Sequence, residues 1–207
     1  MVDRFDWLRR LEPSVVFDCG ANAGQWLGYA RGIWPGARFV CFEPQGEVAA
    51  LIPKDGGVTV VEMAVGDRIG EVEFRRSSFN QSSSVLPMGA LHKEFFPFSA
   101  GESVCRVGMT TLDEWCEKNN TWPAVLKLDL QGYELAAMVH SPRVMMKVKA
   151  VVCETSFVEL YSGQPLFGEI HDYMGQLGFR YAGCIEAPLC SPVDGRPIEE
   201  DSWWVRD

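Results

Sequence analysis

VVFDCGANAGQW, residues 15–26, joins a short apolar run to a turn that contains two glycines. Gly20 and Gly24 permit a tight turn and a close approach of the backbone to a ligand. The amphipathic stretch that follows, residues 23–34, predicts a helix whose first N–H groups point at that ligand. A strand, a glycine turn and a helix in this order are typical of the first unit of an α/β fold.

The turn opens with an acidic residue, which distinguishes it from a nicotinamide-binding turn. That turn usually reads GxGxxG and packs a pyrophosphate against the helix, whereas the order here is DxGxNxG. A carboxylate is a poor neighbour for a pyrophosphate and a good acceptor for an ammonium group. We therefore predict that Asp18 partners the ammonium of a methionine-like moiety, with a plain helix cap as the alternative.

Strand-length apolar runs alternate with amphipathic stretches along most of the chain, which predicts βαβ crossovers and a doubly wound, mostly parallel sheet. The predicted strands are residues 14–18, 37–43, 58–65, 124–129, 148–154, 179–185 and 202–206. The predicted helices are residues 23–34, 46–52, 110–119, 133–140 and 165–177. We expect the later strands to be added at one edge of the sheet.

No repeat or linker divides the 207 residues, so we expect one domain, with helices on both faces of the sheet. Residues 14–76 form its predicted cofactor half and residues 110–207 its catalytic half. Residues 70–76 alternate and predict a strand or hairpin arm. Residues 77–103 carry little periodicity, and we interpret them as an irregular lid or acceptor loop.

Charge and composition exclude several classes of partner. The formal net charge is -9, which disfavours nucleic acid and anionic membrane surfaces. No apolar run is long enough to span a membrane, and the first ten residues lack the order of a secretory signal. The seven cysteines form no CxxC pair, which favours buried thiols in a reduced, cytoplasmic setting. The three histidines have no i,i+4 partner, so no histidine metal site is indicated.

Two further segments are candidate parts of the cofactor site. Glu43 ends the second predicted strand about 25 residues after Asp18, near the offset at which an acid binds a ribose in dinucleotide-type folds. Met63 and Ala64 follow the third strand, where they could line an adenine slot. The structural alternatives are a strand-end acid before a proline for Glu43 and core packing for Met63.

Polar residues at the ends of later strands are candidates for the chemistry. Asp129, in LKLDLQGYEL at residues 126–135, could position an acceptor hydroxyl or act as a general base. Glu154 ends the next strand and supplies a second carboxylate, with a strand-end cap as the alternative. Glu134 could equally stabilise a helix N-terminus. The segment FNQSSSV, residues 79–85, offers hydroxyls and amides suited either to a ligand or to a solvated loop.

Taken together, these motifs resemble the FkbM-like family of S-adenosylmethionine-dependent methyltransferases. The resemblance extends over about residues 15–179 and includes AVGD, SSSV, TLDEW and ETSFVELYSGQPLF. It implies a Rossmann-like, seven-stranded class I methyltransferase fold and O-methylation of a hydroxyl on a sugar, glycan or natural product, with S-adenosylhomocysteine as the product. It also implies that some residues contact the cofactor, namely Asp18, Gly20, Asn22, Gly24, Glu43 and Ala64. Ser83, Asp129 and Glu154 would lie near the transferred methyl group or the acceptor.

Two other readings stay open at this point. One is a nicotinamide-dependent oxidoreductase, and the other is a non-catalytic binding protein that keeps the fold. The acceptor's identity and the oligomeric state, with a homodimer as one option, are also open. A divalent metal held by Asp129 and Glu154 is a further alternative, although no definite set of ligands is recognisable.

Overall fold

The computed structural model describes residues 6–184 and 186–206 and shows an α/β fold around one large sheet. The long strands of this sheet are β1 (Val15–Cys19), β2 (Arg38–Phe42), β3 (Val58–Val61), β7 (Val125–Leu128), β8 (Ala150–Ser156), β9 (Arg180–Cys184) and β11 (Pro197–Val205). A smaller sheet contains β4 (Ala64–Val65), β5 (Gly70–Ser77) and β6 (Glu102–Thr110), and the two-residue β10 (Leu189–Cys190) joins the edge of the large sheet.

The strand order of the large sheet is β10-β11-β8-β7-β1-β2-β3, with β9 also paired to β11. The central pairs β8–β7, β7–β1, β1–β2 and β2–β3 are parallel. β11 runs antiparallel to β8 and to β9, so the last strand lies between these two strands in the sheet. The predicted α/β class, with a mostly parallel sheet and later strands at one edge, is confirmed.

Helices cover both faces of the sheet. They are α1 (Asp6–Arg9), α2 (Gln25–Ile33), α3 (Gly46–Ala49), α4 (Ala90–Phe95), α5 (Leu112–Asn119), α6 (Glu134–Val139), α7 (Pro142–Lys147) and α8 (Phe167–Gln176). Within β1, Phe17 packs into a core cluster with α5–α8, whereas Val16 packs into a second cluster with α1 and α2. Since alternate residues face opposite sides of a sheet, burial on both faces explains the continuous apolar run of this strand.

Several predicted boundaries are wrong in the middle of the chain. Residues 58–65 are two strands in different sheets, because the chain leaves the large sheet after Val61. Residues 77–103 are not irregular throughout, since they contain α4 and two short 3₁₀ helices and run into β6. Sequence analysis does not predict β6. Its first six residues are mostly exposed and pair only with β5, so they lack the alternation of apolar and polar residues that indicates a strand.

Smaller corrections apply at the ends of elements. Thr110 belongs to β6, and the next helix starts at Leu112 because Thr111 is the cap, with its Oγ1 accepting the Glu114 N–H at 3.3 Å. The last strand is longer than predicted and starts at Pro197. The predicted end of the preceding strand, residue 185, lies outside the described residues. Among the described helices, none has the length and apolar character needed to cross a membrane.

Gly20 provides a test of the turn after β1. Its φ is +79°, and a Cβ at this position would lie 1.8 Å from the backbone oxygen of Asp129. We expect Gly20→Ala to lower the free energy of unfolding by about 2–4 kcal/mol, because backbone strain and a backbone clash combine. Urea denaturation measures this change.

Gly28→Ala is the matched control, because Gly28 lies within α2 and a Cβ there would meet nothing within 4 Å. It should stabilise the protein by about 0.5–1 kcal/mol through helix propensity. A Gly20→Ala variant as stable as the wild type would contradict the assigned turn.

Candidate functional site

A cavity of about 230 Å³ lies at the carboxyl ends of the parallel strands. Its walls come from the turn after β1, the segments after β2 and β3, the segment 80–85 and the ends of β7, β8 and β11. In open α/β sheets the loops at the carboxyl ends of the strands form the ligand-binding crevice. Eight of the ten predicted site residues line it: Gly20, Asn22, Glu43, Met63, Ala64, Ser83, Asp129 and Glu154.

The turn after β1 is built by backbone contacts with β2. The N–H groups of Gly20 and Ala21 donate to the carbonyl oxygen of Phe42, at 3.0 and 2.9 Å. Asn22 has a left-handed φ of +47°, and its Oδ1 accepts the N–H of Ala23 at 2.8 Å. Gly24 caps α2 with a φ of +88° and lies outside the cavity lining, so its role in this structure is in the backbone of the turn.

Glu43 is held in place at the end of β2 by two backbone N–H groups. Its Oε2 accepts from Asn22 at 3.1 Å and its Oε1 accepts from Gln45 at 2.9 Å. Burial raises the pKa of Glu43, while these two hydrogen bonds oppose the rise. A carboxylate accepts about four hydrogen bonds, so each oxygen retains capacity for a ligand hydroxyl in the cavity.

The cavity wall next to Glu43 is apolar. Phe42, Met63, Ala64, Val65 and Phe74 line it. Ala64 and Val65 are buried in β4, which pairs with β6 and therefore fixes this wall through the small sheet. An apolar slot beside a carboxylate suits a flat base attached to a ribose.

Lys127 lies fully inside the site and contacts three oxygen groups. Its Nζ is 3.1 Å from Asp129 Oδ2 and 3.4 Å from Asp18 Oδ1, and it donates to the carbonyl oxygen of Gly20 at 3.2 Å. Burial alone would lower the pKa of Lys127, but Asp129, Asp18 and Asp201 raise it well above its usual value. Lys127 is therefore a permanent cation. In the sequence, this residue can be recognised as a lysine within the otherwise apolar strand VLKL, because lysine is rarely buried without a partner.

Asp18 lies behind the residues that line the cavity. Its side chain is 0% exposed and pairs across β1 and β7 with Lys127. Neither of its carboxylate oxygens accepts a hydrogen bond. Burial raises the pKa of Asp18 and Lys127 opposes that rise. Contact of Asp18 with an ammonium group stays a prediction.

A hydrogen-bonded chain connects Asp129 to the segment that covers the cavity. The Nε2 group of Gln131 donates to Asp129 Oδ1 at 2.8 Å and also to Glu154 Oε2. The hydroxyl of Tyr161 lies between Gln131 Oε1 and the carbonyl oxygen of Ser82. Sequence analysis gave Tyr161 no hydrogen-bonding role, because its partners are distant in the chain.

Segment 80–85 is held over the cavity by its serines. Ser84 Oγ donates to the Gln131 carbonyl oxygen at 2.7 Å, and Ser83 Oγ accepts the N–H of Ser77 at 3.0 Å. Ser83 lines the cavity. Its hydroxyl hydrogen is not needed for the bond to Ser77, so it can be donated to a ligand.

The remaining carboxyl groups differ in protonation because their surroundings differ. Burial, with Asp129 and Glu199 next in importance, raises the pKa of Glu154 well above its usual value. Burial raises the pKa of Glu199 to about 7 and that of Asp201 to about 6. Glu134 starts α6, where its Oε1 accepts the N–H groups of Leu130 and Gly132, so its role is structural even though burial raises its pKa to about 8.

Asp201 was missed by sequence analysis, which placed the start of the last strand at residue 202, whereas β11 starts at Pro197. The antiparallel register places Asp201 opposite Glu154 and Trp203 opposite Val152. Only this pairing brings the carboxylate of Asp201 into the cavity lining. Over residues 6–184 and 186–206, no three histidine, cysteine or acidic side chains are arranged to hold a metal ion.

The Lys127 cluster gives a stability prediction. Lys127→Met should leave Asp18 buried without its cation and should lower the free energy of unfolding by about 3–5 kcal/mol at pH 8. The folded protein then holds a proton on Asp18 that the unfolded chain releases, so stability falls as pH rises. The deficit relative to the wild type should therefore be smaller at pH 5, as measured by urea denaturation at both values.

The control is the double variant Asp18→Asn/Lys127→Met, which removes both charges and should recover part of the lost stability at pH 8. An equal deficit for Lys127→Met at pH 5 and pH 8 would contradict a buried Asp18–Lys127 pair.

Comparison with known proteins identifies the family. The family model described as a methyltransferase FkbM domain matches residues 18–181. The chain is 25% identical, over 168 residues, to the 2-O-methyltransferase NoeI of Sinorhizobium fredii (strain NBRC 101917 / NGR234), covering 76% of this chain and 69% of NoeI.

Two solved structures are similar in fold. The methyltransferase FkbM of Methylobacillus flagellatus KT aligns with a TM-score of 0.55 at 15% identity, over 93% of this chain and 43% of that one. This chain therefore spans less than half the length of that protein. The magnesium protoporphyrin IX methyltransferase ChlM of Synechocystis PCC 6803 aligns with a TM-score of 0.51 at 10% identity, over 98% of this chain and 76% of that one.

At these identities the structures show the fold alone, whereas the family model covers most of the chain. The resemblance noted from the motifs is thus confirmed: the chain belongs to the FkbM methyltransferase domain family and has the fold of the class I S-adenosylmethionine-dependent methyltransferases.

Proposed function

We propose that this protein is an S-adenosylmethionine-dependent O-methyltransferase that acts on a hydroxyl group of a sugar, glycan or natural-product small molecule. One observation carries the proposal: a single cavity joins the Glu43 carboxylate and an apolar slot to the Lys127–Asp129 cluster. Along the sheet, the apolar slot after β3, Glu43 after β2 and the cluster at the end of β7 match the adenine, the ribose and the charged amino-acid end of the cofactor, in that order.

The residues present fit this cofactor. Glu43 would accept the ribose hydroxyls with the lone pairs left free by its two backbone bonds. Met63 and Ala64 would contact the adenine, and the backbone at Gly20 and Asn22 would follow the middle of the molecule. Asp129 remains partly exposed, at 31%, and would face the ammonium group that was first predicted for Asp18.

The electrostatics of the cavity also favour a cationic ligand. Glu43, Asp129 and Asp201 are acidic lining residues, whereas Lys127 is the lining residue that carries a fixed positive charge. Glu154 also lines the cavity, but burial favours its neutral form. Lys127 already pairs with Asp18 and Asp129. A cavity with this excess of carboxyl groups stabilises the positive charge of a sulfonium and an ammonium group.

When bound, S-adenosylmethionine supplies an activated methyl group, so the protein's own task is alignment and removal of a proton. Asp129 is suited to positioning, since Lys127 and Gln131 fix its two oxygens. Glu154, with its raised pKa, is suited to donating a hydrogen bond to an acceptor oxygen. Ser83 would approach the acceptor from the opposite side of the cavity.

Oxygen as the methyl acceptor is supported by the relative and by the site. NoeI carries the name 2-O-methyltransferase, and it matches about three quarters of this chain. Carboxyl, amide and hydroxyl groups line the end of the cavity away from the apolar slot, which is the chemistry that hydroxyl ligands need.

Cofactor binding is tested by isothermal titration with S-adenosylhomocysteine. The wild type should bind, and Glu43→Gln should weaken binding about 10- to 100-fold, because charge-assisted hydrogen bonds to the ribose are lost. Glu62→Gln is the matched control, since Glu62 is an exposed neighbour outside the cavity lining. It should bind like the wild type.

Failure of the folded wild type to bind would contradict the proposal. In that case titration with a nicotinamide dinucleotide separates an oxidoreductase from a protein that binds neither cofactor.

A further inference from the structure

A second chamber opens beside the cofactor cavity. It encloses about 420 Å³ and shares four lining residues with the first cavity: Gln25, Trp26, Gln81 and Asp201. Tyr29, Val152, Glu186 and Trp203 complete its walls. Because the two spaces share these four residues, they lie next to each other.

The floor of this chamber is a fixed part of the sheet. Trp203 lies opposite Val152 and Asp201 lies opposite Glu154 in the β11–β8 pair, so their side chains face the same side. Trp203 is 2% exposed and packs against Trp7 and Trp34, with ring centroids 5.7 and 6.4 Å apart. The floor is therefore rigid before any ligand arrives.

Trp26 is the aromatic ring best placed to contact a ligand. It projects from the first turn of α2 and is only partly buried, with Trp34 behind it at a ring distance of 6.5 Å. Gln25 and Gln81, both exposed, lie at the rim of the chamber and offer amide donors and acceptors. An aromatic face surrounded by amides and carboxylates suits a molecule with apolar C–H faces and many hydroxyl groups.

The charge of the residues that line the second chamber limits the ligands it can bind. The lining of the second chamber contains two carboxylates, Asp201 and Glu186, and no lysine, arginine or histidine within the described part of the chain. A phosphate or carboxylate on the ligand would be repelled there without a compensating cation. The chamber therefore favours a neutral ligand over its phosphorylated or acidic counterpart.

The carboxyl groups between the two spaces do not serve equally well as a base. Burial and the neighbouring carboxylates raise the pKa of Glu154, which favours its neutral form. Asp129 is paired with Lys127 and bonded to Gln131, and in the proposed function it faces the ammonium group of the cofactor rather than the acceptor. Asp201 is solvent-accessible, lines both spaces and makes no ion pair among the described contacts.

Desolvation in the cleft and the charge of Asp129 raise the pKa of Asp201 to about 6, and Lys127 opposes them. Asp201 is thus largely ionised at neutral pH, yet close enough to that pH to accept a proton efficiently. The charged and titratable groups that interact electrostatically with it are Asp129, Lys127, Glu186, Asp18, Glu154 and Glu199.

We propose, building on the methyltransferase function above, that the second chamber binds a neutral, sugar-like acceptor against Trp26 and that Asp201 takes the proton of the attacking hydroxyl. The acceptor oxygen forms a bond to the methyl carbon as the bond between that carbon and the sulfonium sulfur breaks. The sulfur leaves as the neutral thioether of S-adenosylhomocysteine. The hydroxyl proton passes to the Asp201 carboxylate and from there to solvent.

Acceptor binding is tested by saturation-transfer difference NMR on protein saturated with S-adenosylhomocysteine. The probes are methyl glycosides of common neutral hexoses and deoxyhexoses, together with the 6-phosphates of the hexoses. Neutral glycosides should receive saturation, and the phosphates should not. Trp26→Ala should weaken binding at least tenfold, whereas the control Trp122→Ala, whose ring packs under Arg143 and Lys147, should not change it.

The role of Asp201 is tested on the glycoside that binds best. Asp201→Asn should keep the KM for that glycoside within about threefold and lower kcat by about 10²–10⁴-fold. The wild-type kcat should rise with pH through about 6, and this acid limb should disappear in the variant.

A stronger saturation-transfer signal for the sugar phosphates than for the neutral glycosides would overturn the assignment of the chamber. The absence of a signal for every neutral glycoside would also overturn it. An Asp201→Asn kcat within threefold of wild type would overturn its role as the base. If the wild type binds S-adenosylhomocysteine, these results contradict only the acceptor chamber or the base, and they do not contradict the proposed methyltransferase function. Absence of that binding is instead the failure of the proposed function itself.

Discussion

The site depends on one buried cation. Lys127 stands at the carboxyl end of β7 between Asp18 and Asp129 and also donates to the carbonyl oxygen of Gly20. Asp18 is fully buried and neither of its oxygens accepts a hydrogen bond, so the ion pair with Lys127 compensates a charge that would otherwise be costly in a protein interior. The same contacts tie the turn after β1 to the segment after β7, so the cation fixes the position of the two halves of the cavity wall.

The carboxyl groups around this cation differ in their hydrogen bonds and in their pKa values. Glu43 is bonded to two backbone amides and keeps lone pairs for a ligand, whereas Glu154 is pushed toward its neutral form by burial and adjacent carboxylates. Desolvation in the cleft raises the pKa of Asp201 to about 6. In the proposed mechanism, position on the sheet rather than residue type therefore assigns these groups to ligand binding, to hydrogen-bond donation and to proton removal.

Local patterns in the sequence were sufficient for the parallel core and for most of the cavity lining. The glycine turn, Glu43 and Asp129 could be found because each lies directly after an apolar strand. Asp201 could not be found in this way, because only the antiparallel return of β11 places it opposite Glu154. The ion pair between Asp18 and Lys127 could not be found in this way either, because it depends on the pairing of β1 with β7, which no local motif encodes.

The most direct test of this account is a crystal structure of the protein with S-adenosylhomocysteine. We expect the ribose hydroxyl oxygens within about 3.2 Å of the Glu43 carboxylate oxygens, a hydrogen-bond distance, and the homocysteine end beside Asp129. Lys127 should still contact Asp18 and Asp129. A ligand bound elsewhere on the sheet, or one whose ribose contacts no carboxylate at Glu43, would contradict the central claim that this cavity is the cofactor site.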